Sequence, residues 1–298
     1  MVAVLALLLS LCVCIQANAE AVYVVNGYAY NILNNYSIAI CGWEGESTDL
    51  VIPDALVGRN VVSVAARALK DNLELTSVDF SNAHYLNTIE MEAFYGCSGL
   101  TEVDIPRTVT AMGDNVFQNC TSLQSVNIHA TMTAIPEMCF YNCASLTEVS
   151  IPPTVTEIKK FAFANCSALE YIEIPTTVTN IVSSAFRNDN VTIGCYFNSC
   201  AYQFAKDNNM PFVLLDSYLL GDANGDGYVN INDVTAIQRH LSDLELLNDL
   251  QLVAADVNAD GTWEITDATV LQQYLAEYSV DYPINQTVTR RDFMKKML

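Results

Sequence analysis

At 298 residues the chain is long enough for two domains or one extended repeat array, and 51% hydrophobic residues with only 8 prolines and 12 glycines argue against a disordered acidic tail. Its 34 acidic and 13 basic residues leave a net charge of −21, which argues against nucleic acid or an anionic membrane as partner, since both require a cationic surface. An acidic surface of this density suits bound cations instead.

The chain opens with an apolar run from Val2 to Ile15 followed by Ala17-Asn18-Ala19, a small-x-small pattern that reads as a secretory signal peptide over 1–19. About fourteen apolar residues are too few to span a bilayer of roughly 30 Å, so no membrane span is expected and export is. The run lacks the preceding Lys or Arg of an ordinary signal, and neither Leu11 nor Val13 is the small residue that would precede a lipid-modified Cys12 or Cys14. Next comes Asn26-Gly27, a hairpin turn signal.

From Leu50 onward the sequence repeats. Leu100, Leu123, Leu146 and Leu169 are spaced 23 residues apart, as are Ile105, Ile128, Ile151 and Ile174. Phe94, Phe117, Phe140, Phe163 and Phe186 keep the same period, and so do Cys97, Cys120, Cys143 and Cys166. A fixed period of this length marks a solenoid in which each unit buries its apolar face only against its neighbours. Within a unit such as Leu146–Ile158, apolar and polar residues alternate up to Pro152, as in a strand with one buried face. A second short strand follows at Val155–Ile158, and then a turn-like or short helical return carries Phe163 and Cys166 into the core. Two irregular units come first: Leu75–Leu100 has two extra residues around Ser81–Tyr85, and Val51–Leu75 lacks the cysteine.

The pattern L-x-x-V/I-x-I-P-x-x-V-x-x-I, with Phe and then Cys downstream, resembles the BspA-like leucine-rich repeats of bacterial surface and secreted proteins. The resemblance implies an N-terminal cap over 20–49, repeats over 50–190 and a C-terminal cap over 191–217, with protein or polysaccharide binding as the function. Between the buried columns the sheet face reads Glu102/Asp104, Ser125/Asn127, Glu148/Ser150 and Tyr171/Glu173. It is either a ligand surface or an ordinary solvated face.

Stacked repeats hold equivalent side chains at about the strand separation of 4.8 Å, longer than the Cβ distance of roughly 3.8 Å that a disulfide prefers. Buried thiols are therefore expected in the cysteine column. Cys195 with Cys200, and Cys139 with Cys143, are better placed to bridge. His84, His129 and His240 sit at no zinc-ligand spacing from a cysteine pair.

The densest constellation begins at Asp222 and recurs 34 residues later at Asp256. Oxygen-bearing residues occupy positions 1, 3, 5, 9 and 12 of each loop: Asp222, Asn224, Asp226, Asn230 and Asp233 in the first, and Asp256, Asn258, Asp260, Glu264 and Asp267 in the second. Ca²⁺ is a hard cation that takes six to eight oxygens, and the backbone carbonyls of Tyr228 and Thr262 at position 7 complete such a set. Position 9 would act through a water. Gly227 and Gly261 stand at position 6, where the loop must bend sharply. Two calcium ions are thus expected. Position 12 is Asp where a sensor-type loop carries Glu, and no amphipathic helix precedes the first loop. Each loop runs instead into a helix, Val234–Leu241 and Ala268–Ala276, with apolar faces Val234/Ile237/Leu241 and Val270/Leu271/Leu275.

Loop plus helix, duplicated, resembles a type I dockerin, here over 218–280. The resemblance implies a cohesin domain of a scaffoldin as partner. It places recognition at Ile231, Asn232, Gln238 and Arg239 in the first half and at Ile265, Thr266, Gln272 and Gln273 in the second. Ile231 and Ile265 depart from the Ser/Thr often found at that position. A basic tail, 281–298, follows. The fold class expected is α+β: a leucine-rich-repeat solenoid of short strands, then a small all-α module with duplicated calcium loops. No paired-carboxylate cleft, nucleophile elbow or HExxH occurs between Glu20 and Asp216. The function expected is a secreted, non-catalytic binding or adhesion protein on a cellulosome-like scaffold. A scaffold-borne hydrolase or peptidase inhibitor is the alternative.

Overall fold

A computed structural model describes residues 22–187 and 190–289. The expected leader, 1–19, and the basic residues from Arg290 onward lie outside the described residues. The chain divides into two compact units: one runs to Ile193 and takes in Gln203–Pro211, and the other comprises Gly194–Tyr202 and the chain from Phe212 onward.

The first unit begins with an antiparallel hairpin, Val22–Val25 against Tyr28–Ile32. Asn26 and Gly27 both adopt left-handed backbone (φ 51° and 84°), as a two-residue hairpin turn requires. Strand Ser37–Trp43 pairs antiparallel with this hairpin on one edge and parallel with Arg59–Val64 on the other, converting a hairpin sheet into a solenoid sheet.

From there one unit stacks on the next through parallel ladders. Ser125 lies opposite both Glu102 and Glu148, so the register is one 23-residue unit on each side. Towards the N-terminus the offsets lengthen: Ser77 pairs with Glu102 and Asp49 with Ser77, matching the longer units there. The second short strands, Ala134–Ile135, Glu157–Ile158 and Asn180–Ile181, make a separate parallel ladder. The returns form a further ladder from turns alone, with the amides of Phe117, Asn119, Phe140 and Asn142 donating to the carbonyls of Cys139, Tyr141, Ala162 and Ala164. Backbone groups that would otherwise be buried unpaired are thereby satisfied at three places around each coil.

Inside, Phe94, Phe117, Phe140, Phe163 and Phe186 form a continuous stack with centroid separations of 5.3, 5.7, 5.4 and 5.4 Å. Helix Cys200–Asp207 contributes Phe204, whose ring lies 5.9 Å from that of Phe186 and ends the stack. The cysteine column is buried, and its thiols donate to the preceding coil: Cys120 to the Phe94 carbonyl at 3.2 Å, Cys143 to Phe117 at 3.2 Å and Cys166 to Phe140 at 3.1 Å. Cys139, Cys143 and Cys195 are thiols, so neither pair singled out as better placed to bridge is joined. Immediately before the column, Gly96, Asn119, Asn142 and Asn165 all take left-handed backbone (φ 59–72°), which Gly and Asn tolerate best. The Asn142 side-chain amide also donates to Asn119 Oδ1 at 2.9 Å, continuing the stacking on the surface.

The second unit contains three helices of the C-terminal module, Ile231–Leu241, Asp249–Ala255 and Ile265–Leu275. Two of them begin three residues earlier than expected, because Asn230 and Glu264 act as helix N-caps, each with a capping box to Asp233 or Asp267. The short middle helix went unrecognised in the sequence, although Asn248-x-x-Gln251 is itself a capping-box pattern. The module is not purely helical. Strands Ser217–Leu219 and Thr287–Thr289 pair antiparallel and close it, and Ile284 and Val288 join a core with Leu220, Val234, Ile237, Val257 and Leu271. Packing therefore continues past the boundary at 280 expected from sequence, because the loop–helix duplication leaves an apolar flank that only the following segment covers. Leu241, expected on the buried face, is 39% exposed, since the first helix ends there and the chain turns away. Among the described residues no helix is long and apolar enough to cross a membrane.

Candidate metal centre and docking face

Each loop closes around its own carboxylates. In the first, one oxygen of Asp222 accepts the amides of Gly225 (2.9 Å) and Asp226 (3.0 Å), and the other accepts Gly227 (2.9 Å). Asn224 Oδ1 accepts the Asp226 amide at 2.8 Å, and Asp226 Oδ1 accepts that of Tyr228 at 2.9 Å. Asp233, on the first turn of the helix, reaches back with one oxygen to the Asn224 amide (3.1 Å) and with the other to that of Asn230 (2.8 Å). The second loop repeats the scheme. Asp256 accepts Gly261, Asn258 accepts Asp260, Asp260 accepts Thr262, and Asp267 accepts Val257 (3.1 Å) and Glu264 (3.1 Å). These turn bonds fold each loop back on its own side chains, and they leave further lone pairs on every carboxylate.

The electrostatics are unbalanced. The two loops carry seven carboxylates, Asp222, Asp226, Asp233, Asp256, Asp260, Glu264 and Asp267, with no Lys or Arg within either loop. Asp233 and Asp267 are buried, 0% and 1% exposed. Burial, reinforced by the neighbouring aspartates, raises the pKa of both, that of Asp267 to about 6. Buried charge without a countercharge is costly, and a divalent cation would supply one here. The donor set is all oxygen, which fits a hard cation such as Ca²⁺ and not zinc. Among the described residues no group of three or more His, Cys, Asp and Glu side chains forms a metal cluster.

The expected recognition positions lie on the helices that follow. Ile231 and Asn232, read from sequence as loop residues, stand on the first helical turn, as do Ile265 and Thr266. Ile231 is 60% exposed and Ile265 58%, an unusual setting for isoleucine, repeated in both halves. Gln238, Arg239, Gln272 and Gln273 are exposed as well. On the repeats, Glu102, Asp104, Asn127, Glu148, Ser150 and Glu173 are exposed, while Ser125 and Tyr171 are partly covered. In register, Asp49, Ser77, Glu102, Ser125 and Glu148 form one row, so acids alternate with serines and like charges stay two strands apart.

Comparison with known proteins agrees with this division. Residues 62–192 match the BspA type leucine rich repeat region in 6 copies, and residues 220–276 match the dockerin type I domain. The chain therefore carries a BspA-type leucine-rich-repeat region followed by a type I dockerin domain. Both are non-catalytic modules, type I dockerins bind calcium, and a dockerin implies a cohesin as partner. Among solved structures, the chain is similar to a leucine-rich repeat protein from Eubacterium ventriosum (25% identity, 59% of this chain and 52% of that one, TM-score 0.46). It is also similar to the leucine-rich repeat protein of T. pallidum (19% identity, 64% and 97%, TM-score 0.49). A leucine-rich cell surface protein from Faecalibacterium prausnitzii aligns at 22% identity over 59% of this chain and 56% of that one, with a TM-score of 0.40. The chain thus spans about half the length of the first and third of these. No curated protein matches it.

Proposed function

We propose that this is a secreted, non-catalytic binding protein that attaches to a cohesin-bearing scaffold through a calcium-loaded dockerin and presents its repeats to a protein or polysaccharide ligand. The observation that carries the reading is the pairing, in each half of the module, of a buried position-12 aspartate with an exposed isoleucine two residues before it on the same first helical turn. The first feature requires a cation, and the second offers an apolar contact to a partner. One calcium ion per loop would be held by Asp222, Asn224, Asp226, the Tyr228 carbonyl, Asn230 and Asp233, and by Asp256, Asn258, Asp260, the Thr262 carbonyl, Glu264 and Asp267. Calcium offsets two of the three carboxylate charges in the first loop and two of the four in the second. The protein's own residues then do the rest: the capping boxes fix the start of each helix, and the helices present Ile231, Asn232, Gln238 and Arg239, or Ile265, Thr266, Gln272 and Gln273, to the cohesin. Calorimetry of the full chain against type I cohesins, with calcium and with EDTA, tests this. Binding that persists in EDTA, or in an Asp222→Ala/Asp256→Ala double variant, would overturn it.

A further inference from the structure

The two loops share a donor pattern but are not held alike. Gln251, in the middle helix, donates from Nε2 to the backbone carbonyl of Asn224, position 3 of the first loop, at 2.8 Å. Its Oε1 accepts the Asn248 amide at 3.0 Å, which assigns the amide orientation without ambiguity. The other end of the same helix turn is anchored: Asp249 accepts the Tyr202 hydroxyl at 2.8 Å. The first loop therefore rests on a helix tied down at two points. One period further on, the residue in the place of Gln251 is Asn285, which is exposed and makes no corresponding bond to Asn258.

The loops also differ at position 4. There the backbone is left-handed in both, but the residue is Gly225 (φ 75°) in the first and Ala259 (φ 59°) in the second. A left-handed alanine is strained, whereas glycine takes that conformation freely. Gly225 further lies under Gln251, where an added Cβ would come within 3.5 Å of Nε2. The second loop has the larger charge, four carboxylates to three, through Glu264.

We propose that Gln251 is a positioning residue that preorganises the first calcium loop, so that the two sites are inequivalent: the first is set by structure and the second by charge. This rests on the calcium reading above. It adds that calcium enters the first loop without ordering it, whereas it must order the second, and that affinity at the second falls more steeply with salt because exposed charge is screened.

The test is calcium calorimetry on the full chain at low and high ionic strength, combined with amide hydrogen exchange of the calcium-free protein. The expected isotherm has two classes of site, with peptides from 222–233 better protected than those from 256–267. Gln251→Met should weaken one class roughly 5- to 10-fold, the worth of one partly buried hydrogen bond, and remove the extra protection of 222–233. Ala259→Gly should tighten the other class about threefold or more, and it keeps the test decisive if Gln251→Met unfolds the helix. Trp263, inside the second loop, reports by fluorescence which class has moved. Equal shifts of both classes in Gln251→Met, or no effect of Ala259→Gly, would overturn the inference. A chain that binds no calcium at all would instead overturn the function proposed above.

Discussion

The repeat region and the dockerin solve the same problem, making a small repeated unit stable, with opposite chemistry. In the repeats every buried column is apolar or neutral. Phe stacks on Phe, and thiols donate to carbonyls of the preceding coil. The columns are continuous, so each unit is completed by its neighbours and needs nothing from outside the chain. In the dockerin the repeated feature is a buried aspartate, and the duplication brings two acidic centres into one small domain. Its apolar core is modest, twelve buried residues of which four are alanines. The comparison teaches that one part carries its stability in its own packing, while the other carries a buried charge that an ion would have to offset.

Removing calcium should separate them most sharply. In EDTA at neutral pH the module is expected to lose helical circular dichroism and amide protection, most in 256–267 and least in 222–233, while 50–187 keeps its protection. Loss of protection in both parts together would break the comparison. A smaller effect of the converse kind is expected from Phe140→Ala, which opens a gap in the ring stack. It should destabilise the repeats by about 3 to 5 kcal/mol without changing cohesin affinity, as chemical denaturation and calorimetry would show.

Acidity should act on the module alone, and with a sign that calcium reverses. Asp267 has its pKa raised to about 6, chiefly by burial and then by Asp256 and Asp260. The calcium-free native state therefore keeps a proton that the unfolded chain releases near the usual aspartate value of about 3.9. Stability of the calcium-free module is thus present at about pH 4 and is lost as pH rises to about 6, by on the order of 2 kcal/mol. With calcium, acidification should destabilise instead, because protons and the ion compete for the same oxygens. Thermal melts at pH 5 and pH 7, with and without EDTA, measure both signs.

The smallest effect concerns the thiols. Burial pushes the Cys97 pKa up to about 12 and those of Cys120 and Cys143 well above the ordinary thiol value. They should resist alkylation at pH 8 until the repeats unfold, and Cys143→Ala should cost only about 1 kcal/mol, the worth of one buried hydrogen bond. Rapid labelling of the native protein would show that the coils open locally.

The sequence by itself determined the two periods, the columns they bury and the placing of oxygen-bearing residues in both loops, because each is local spacing: a period of 23 or 34 residues needs no knowledge of what lies opposite. It also held signals that went unread, namely the capping boxes at Asn230, Asn248 and Glu264, which set where helices begin. Other features were decided only by tertiary structure. Strand 217–219 meets 287–289 from the far end of the module, and backbone pairing at a sheet edge leaves little mark on side-chain choice. Leu241 is apolar and in helical register, yet it is exposed because the helix stops beneath it. Gln251 reads as one more polar helix residue until the fold places the Asn224 carbonyl 2.8 Å from its amide. A hydrogen bond between distant segments depends on where both ends are, and no spacing along the chain encodes that.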